Sequence, residues 1–295
     1  MKTEAAIVAA SHTRSADYVA LAKPRLNMLV VVSAAAGYAM AGGAADDVPR
    51  LVSMVIGTGL VAGGASAFNQ IIERRADALM RRTRMRPMPD GRLSPRDALL
   101  FASVLSVAGV GVLLAGANVL SAVVALATLA SYALVYTPLK KRTTLATVVG
   151  AIPGALPPVI GWAAAEGGLS PGAWVLFGIV FLWQLPHFLA IAWIHRDDYA
   201  RAGFVMLPVV EPDGGSTARQ AVAYSAALLP LSLAPTLVGM TGTLYFAGAL
   251  TLTLLFVGLA VRFGVSRTIA DARRLFFGSI IYLPLLWMLM IADRV

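Results

Sequence analysis

The stretch AFNQIIERRADALMRRTRMRP carries the densest chemistry in the chain. Asn69, Glu73 and Asp77 recur at i, i+4 and i+8. At 3.6 residues per turn each step drifts only ~40°, so a helix sets the three side chains in one stripe over two turns. The stripe offers oxygen ligands to a hard divalent cation, and Mg²⁺ characteristically combines one or two carboxylates with substrate phosphates. Arg74, Arg75, Arg81, Arg82, Arg84 and Arg86 crowd the same region. Guanidinium groups bind phosphate oxygens through planar, bidentate hydrogen bonds. Acids beside such a cluster suit a metal–diphosphate complex; the plainer alternative is a helix end with i,i+4 ion pairs and orienting arginines.

Two other stretches stand out. In YTPLKKRTT, Tyr136 and Lys140 lie one turn apart and are followed by Lys141 and Arg142. Taken alone, this reads as an interfacial aromatic with orienting charges. WQLPHFLAIAWIHRDDYARAGFVMLP holds His187 and His195, two of only three histidines, and the acidic pair Asp197 and Asp198. His187 and Asp198 are three helical turns apart and share a face if one helix runs through both. Pro186 is expected to kink its start. Asp197 and Asp198 read as a second acidic site. His195 reads as an interfacial histidine in contact with water. His187 lies deeper, where polar side chains usually face a bundle interior and mark function.

The elements that must hold these residues follow from composition. Of 295 residues, 58% are hydrophobic and 13% charged, against roughly 25% charged in a soluble domain. So few charges cannot cover a soluble surface. Cysteine is absent, which excludes disulfides, thiolate catalysis and Cys-ligated zinc or iron–sulfur clusters. Charge-free stretches long enough to cross ~30 Å of hydrocarbon are Leu26–Ala45, Leu51–Ile72, Ala98–Leu139 (two spans, broken near Gly116–Asn118), Thr143–Ala165, Gly167–His195, Gln220–Val261 (two spans, broken near Gly239–Gly242) and Leu275–Ala292. The prediction is an all-α polytopic membrane protein of nine spans, with residues 1–22 as a cytoplasmic tail and 23–295 as the membrane domain. Lys23 and Arg25 precede the first span as an orienting flank, and its length suits a span better than a cleaved signal. GAIPGALPPVIGW distorts span five. Alternating ten-residue segments, the mark of a β-barrel, are absent.

The basic residues test this topology. With the amino terminus cytoplasmic, the tail and the 2–3, 4–5, 6–7 and 8–9 loops hold 22 of the 24 Lys and Arg; only Arg50 and Arg294 fall outside. The positive-inside rule is met. The net charge of +9 is thereby explained by orientation and anionic lipid, with no nucleic-acid partner. The carboxyl terminus then lies on the opposite side of a bacterial-type cytoplasmic (inner) membrane. A transporter would show mid-membrane polar residues in paired repeats, but here they gather at the cytoplasmic ends of spans two, four and six. A non-catalytic scaffold has no use for clustered acids and arginines.

From LAKPRLNMLVVVSAAAGY to the ninth span, the chain resembles the UbiA-type intramembrane prenyltransferases, and among them the heme O synthases. NQIIERRADALMRRTRMRP resembles the family's first Asp-rich motif, Asn-x-x-x-Asp-x-x-x-Asp, with the Met-Arg-Arg-Thr continuation of the heme branch. YTPLKKRTT resembles its Tyr-x-x-x-Lys motif. The His-Phe pair, and the Asp-Tyr followed by Met-Leu-Pro, resemble heme O synthases rather than quinone or chlorophyll prenyltransferases. Glu73 replaces an Asp common in the family, Ala146 stands where many members have Asn, and the second acidic motif lacks the fuller Asp-x-x-x-Asp form.

The resemblance implies a helix bundle around a cavity opening near the cytoplasmic side. It implies farnesyl diphosphate and heme b as substrates, Mg²⁺ as cofactor, and a heme A synthase and terminal oxidase downstream. It assigns Asn69, Glu73, Asp77, Lys140 and Asp198 to catalysis, and Asn69, Glu73, Asp77, Asp197 and Asp198 to metal. Arg74, Arg81, Arg82, Arg86, Lys140, Arg142 and Arg196 are then expected on the diphosphate, and His187 and His195 on heme.

Overall fold

The computed structural model describes residues 13–43 and 47–295. Apart from one bridge, Thr241 to Arg294, the described residues form helices and their connections. These are α1 (Arg14–Ala22), α2 (Pro24–Met40), α3 (Val48–Asp77), α4 (Pro95–Gly116), α5 (Val119–Leu139), α6 (Ala146–Ala155), α7 (Pro157–Glu166), α8 (Pro171–Ile194), α9 (Arg196–Arg201), α10 (Leu207–Val210), α11 (Gly215–Leu237), α12 (Thr243–Ser266) and α13 (Ile269–Ala292). Among the described residues, eight spans are long and apolar enough to cross a membrane: α3, α4, α5, the α6–α7 pair, α8, α11, α12 and α13. The α1–α2 pair, bent by 41° at Lys23, passes the same test of length and hydropathy when its two helices are taken together, which would make nine. The first span was expected to reach Ala45; its helix ends at Met40, and residues 44–46 lie outside the described residues.

Local chemistry sets the boundaries. Ser94 caps α4, its hydroxyl accepting from the Asp97 N–H at 3.1 Å, with Pro95 at the first helical position; proline's missing donor costs nothing there. Asn118 makes the expected break between spans three and four. Its side chain accepts from the Ser121 N–H at 2.8 Å and donates to the Ala163 carbonyl at 2.7 Å, tying the turn to α7. Span five divides at Leu156, between Pro153 inside α6 and the Pro157-Pro158 start of α7.

Small residues let the helices approach. A Cβ at Gly161 would fall on the Ala34 carbonyl oxygen, and one at Gly37 on that of Pro158, so α2 and α7 meet backbone to backbone. Close approach of this kind drives helix association where lipid is as apolar as leucine. Fully buried Tyr245, Phe256, Phe263 and Trp287 fill the seam of α8, α12 and α13, while Val107, Leu134 and Val265 stand exposed on the outer faces, as lipid contact requires.

Residues 14–22, expected as part of a tail, instead form α1. Thr13 caps it, Leu21 is fully buried, and it packs on α3 and α4. Arg92 ties the 2–3 loop to it through the buried Asp17 at 2.9 Å. Residues 1–12 lie outside the described residues.

Candidate active site

The end of α3 carries the predicted stripe. Asn69, Glu73 and Asp77 are 3%, 7% and 1% exposed, and all three line one cavity of about 180 Å³. Burying two carboxylates is costly unless each is paired, and each has a cation from another part of the chain. Lys140 Nζ lies 2.9 Å from Glu73 Oε1, and Arg86 Nη1 lies 2.8 Å from Asp77 Oδ2. Asp77 Oδ1 is buried with no hydrogen-bond partner among the described residues. An unsatisfied carboxylate oxygen in a polar cavity is the feature a bound cation explains.

The opposite wall comes from the end of α5, where residues Ser131–Tyr136 wind into wider, π-type turns. Such turns re-aim side chains and recur at functional sites. Here they direct Tyr132 and Tyr136 into the cavity. The Thr137 hydroxyl donates to the Tyr132 carbonyl at 2.8 Å and accepts from Asn69 Nδ2 at 3.3 Å, joining α5 to α3. Lys140 Nζ sits 4.5 Å from the Tyr136 ring centroid. Burial opposes its charge, but neighbouring Tyr136 and Glu73 outweigh this and hold the ammonium above the ordinary lysine value. Lys140 therefore stays protonated.

A cap closes the cavity on the loop side. Phe204 and Met206 pack with Ala76 and Met80, and the Val205 N–H donates to the Lys140 carbonyl at 2.8 Å. Arg82 enters from the 2–3 loop, 6.0 Å from the Tyr199 ring centroid.

Lys23, read from sequence only as an orienting charge, also lines the cavity. It adopts a left-handed conformation, φ 50°, at the α1–α2 joint. Asn27 and Gln70 hold that joint by donating to the Ala22 and Leu21 carbonyls, each at 2.7 Å. A non-glycine residue persists in this conformation only when its surroundings over-determine it. No carboxylate pairs with Lys23 among the described residues. The one local hint was Pro24, since a residue before proline is steered away from the right-handed helical region. Tyr132 was missed for a similar reason: nothing in SYALVY announces a widened turn.

Other expected residues lie elsewhere. Arg74 donates to the Ile71 carbonyl and Arg196 to that of Trp193, whose ring it covers; Arg81 and Arg142 are exposed. None of the four lines the cavity. The second acidic site is not brought to it either. Asp197 is exposed, and Asp198 pairs with Arg201 and accepts from the Arg81 N–H at 3.2 Å. His187 and Asp198 do not share one helix, because α8 ends at Ile194 and His195 breaks the path with φ −111°, ψ 20°. His195 sits at that break, where burial, with Arg82 and Arg273 nearby, lowers its pKa. His187 is half-buried among the rings of Trp183, Phe188 and Phe276, apart from the cavity residues.

The cavity is thus lined by four basic side chains, Lys23, Arg82, Arg86 and Lys140, and two carboxylates. Lys23 and Arg82 pair with neither carboxylate among the described residues and stand beside apolar Leu26, Met80, Phe204 and Met206. That arrangement suits a compact polyanion attached to an apolar chain, with a divalent cation at the carboxylates.

A family model described as the UbiA prenyltransferase family matches residues 30–283. The chain belongs to this family. It is 51% identical to a protoheme IX farnesyltransferase of Solibacter usitatus, covering 94% of this chain and 98% of that protein. It is 44% identical to the protoheme IX farnesyltransferase of Koribacter versatilis, covering 94% and 93%. A solved digeranylgeranylglyceryl phosphate synthase superposes with TM-score 0.78 at 16% identity, over 94% of this chain and 97% of that one. A UbiA homologue from Archaeoglobus fulgidus bound to DMAPP and Mg²⁺ superposes with TM-score 0.71 at 15% identity, over 93% and 99%. At such identities the structures establish the shared fold.

Proposed function

We propose that this prenyltransferase moves the farnesyl group of farnesyl diphosphate onto a vinyl group of heme b, with addition of water, giving heme O and diphosphate. The observation that carries this reading is the 51% and 44% identity, over 94% of this chain, to protoheme IX farnesyltransferases. The cation-rich cavity supports the diphosphate half.

The residues divide the work. As the allylic C–O bond breaks, its electron pair goes to the diphosphate. Lys23, Arg82, Arg86 and Lys140 face that growing charge from fixed positions, so little reorganisation accompanies the step. Asn69, Glu73 and Asp77 would hold Mg²⁺: one carboxylate oxygen lacks a partner, and two carboxylates completed by substrate phosphates make an ordinary Mg²⁺ donor set. When bound, the ion supplies Lewis-acid stabilisation of the leaving group. The apolar cap of Met80, Phe204 and Met206 keeps water from the allylic cation. The vinyl π pair attacks the farnesyl carbon, forming the C–C bond and leaving a cation beside the porphyrin. Water adds there and loses a proton, giving the hydroxyethylfarnesyl group. His187 serves heme, and His195 stands at the same helix end. Asp198 anchors the 6–7 loop to the 2–3 loop, holding the cap over the cavity. Arg74, Arg81, Arg142 and Arg196 orient the chain, with its amino terminus cytoplasmic, in a bacterial-type inner membrane. A heme A synthase receives the product.

Expression in cells lacking heme O, followed by chromatography of extracted hemes, tests this directly. Heme O should accumulate; heme b alone, with the protein at normal levels in the membrane, refutes it.

A further inference from the structure

His187 lies flat between two rings, Trp183 at 5.4 Å and Phe276 at 4.9 Å between centroids, both stacked. A clamped ring presents only its edge. The one hydrogen bond to that edge among the described residues joins Nδ1 to Ser279 Oγ, at 2.7 Å. Ser279 is fully buried on α13, and its hydroxyl also lies 2.5 Å from the Phe276 carbonyl. Its own carbonyl accepts from the Trp183 indole at 2.9 Å, which pins α13 against α8 beneath the imidazole.

The two contacts of the Ser279 hydroxyl point to one tautomer. A hydroxyl has one proton and two lone pairs. The Phe276 carbonyl has no proton to give, so the Ser279 proton lies between Oγ and that oxygen. At 2.7 Å from Nδ1, Oγ must then accept, and the proton in that bond belongs to the imidazole. The neutral ring thus carries its hydrogen on Nδ1, and Nε2 is left with a bare lone pair. A bare Nε2 cannot donate to a propionate, which is itself an acceptor. It can ligate iron, and histidines that ligate metals commonly donate the other ring N–H to a fixed partner.

We infer that Ser279 is a positioning residue that holds His187 in the Nδ1–H tautomer, so that Nε2 ligates the iron of heme b during prenyl transfer. This rests on heme b being the acceptor substrate. It narrows the role of His187 from heme contact in general to axial ligation, and assigns a function to a buried serine of α13.

The tautomer is testable without heme. The chain holds three histidines, so nitrogen NMR of ¹⁵N-histidine-labelled protein in nanodiscs, assigned with His187→Ala, reads residue 187 alone. Wild type and Ser279→Thr, which keeps the hydroxyl, should show a protonated Nδ1 and a bare Nε2; Ser279→Ala should lose that preference. In heme b titrations, Ser279→Ala should weaken binding about 10–100-fold, the usual effect of removing a ligand's orienting partner. It should also shift the ferrous iron–histidine stretch in resonance Raman spectra. Ser279→Thr should restore both, and farnesyl diphosphate affinity should not change in either variant. His187→Ala should abolish the iron–histidine stretch. A bare Nδ1 in wild type, or an iron–histidine stretch and heme affinity unchanged by Ser279→Ala, overturns the positioning role. A stretch that survives His187→Ala overturns ligation. If wild type binds farnesyl diphosphate but neither binds heme b nor forms heme O, the acceptor assignment fails, and the ligation with it.

Discussion

Replacing Lys23 by methionine keeps the length of the side chain and removes its charge. Two of the four cavity cations are committed to carboxylates, Lys140 to Glu73 at 2.9 Å and Arg86 to Asp77 at 2.8 Å. Lys23 and Arg82 pair with neither carboxylate among the described residues, so the substitution removes one of the two basic groups left free to meet a diphosphate. A hydrogen bond to a charged group contributes about 1.5–3 kcal/mol net, below the ~4 kcal/mol Coulomb figure for unit charges 4 Å apart at an effective dielectric of 20. At 1.36 kcal/mol per decade, kcat/KM for farnesyl diphosphate should fall about 10–150-fold. Heme b affinity should hold, because His187 lies apart from the cavity residues. Lys23→Arg should recover most of the loss. The assay is heme O formation in membranes, with each substrate titrated in turn. A Lys23→Met enzyme within about twofold of wild type would refute the electrostatic account, since 0.4 kcal/mol is less than any charged hydrogen bond contributes. A defect confined to heme b affinity would refute the placement of Lys23 at the diphosphate.

Asp77→Asn should lower turnover at least ~100-fold while the protein stays in the membrane; near-normal heme O formation by the metal-replete variant would remove Asp77 from the metal site. Lys140 has a raised pKa, so its charge, and the stability of its pair with Glu73, are fully present below the ordinary lysine pKa of about 10.4 and lost only as pH rises through the higher folded value. From about pH 6 to 9 its own titration should therefore leave no limb in the kcat/KM profile; a limb that disappears in Lys140→Met and is assigned to residue 140 would refute this. For topology, single cysteines introduced at Ser94 and Val295 should react with an impermeant reagent from opposite faces; labelling of both from one face would refute the orientation.

Sequence alone determined what is local or compositional. A chain with 13% charged residues has to bury its polar backbone in helices within a bilayer, and the distribution of Lys and Arg predicts the orientation of those helices. The i, i+4, i+8 stripe of Asn69, Glu73 and Asp77 follows from the helical repeat once α3 is a helix, and the breaks at Asn118 and Leu156 follow from capping and proline chemistry. Tertiary structure decided everything that depends on which distant groups meet. Six arginines lie between residues 74 and 86, at the end of α3 and in the 2–3 loop, and periodicity cannot say that Arg86 turns inward to Asp77 while Arg74 folds back on its own helix. Lys23 looked like one more orienting charge until the α1–α2 joint, held by Asn27 and Gln70, aimed it at the cavity. His187 and Asp198 looked like neighbours on one face until the chain broke at His195. Ser279 carries no motif; its meaning comes from an imidazole 92 positions away. Charge pairing and tautomer choice are set by contacts across helices, where sequence separation carries no information about distance.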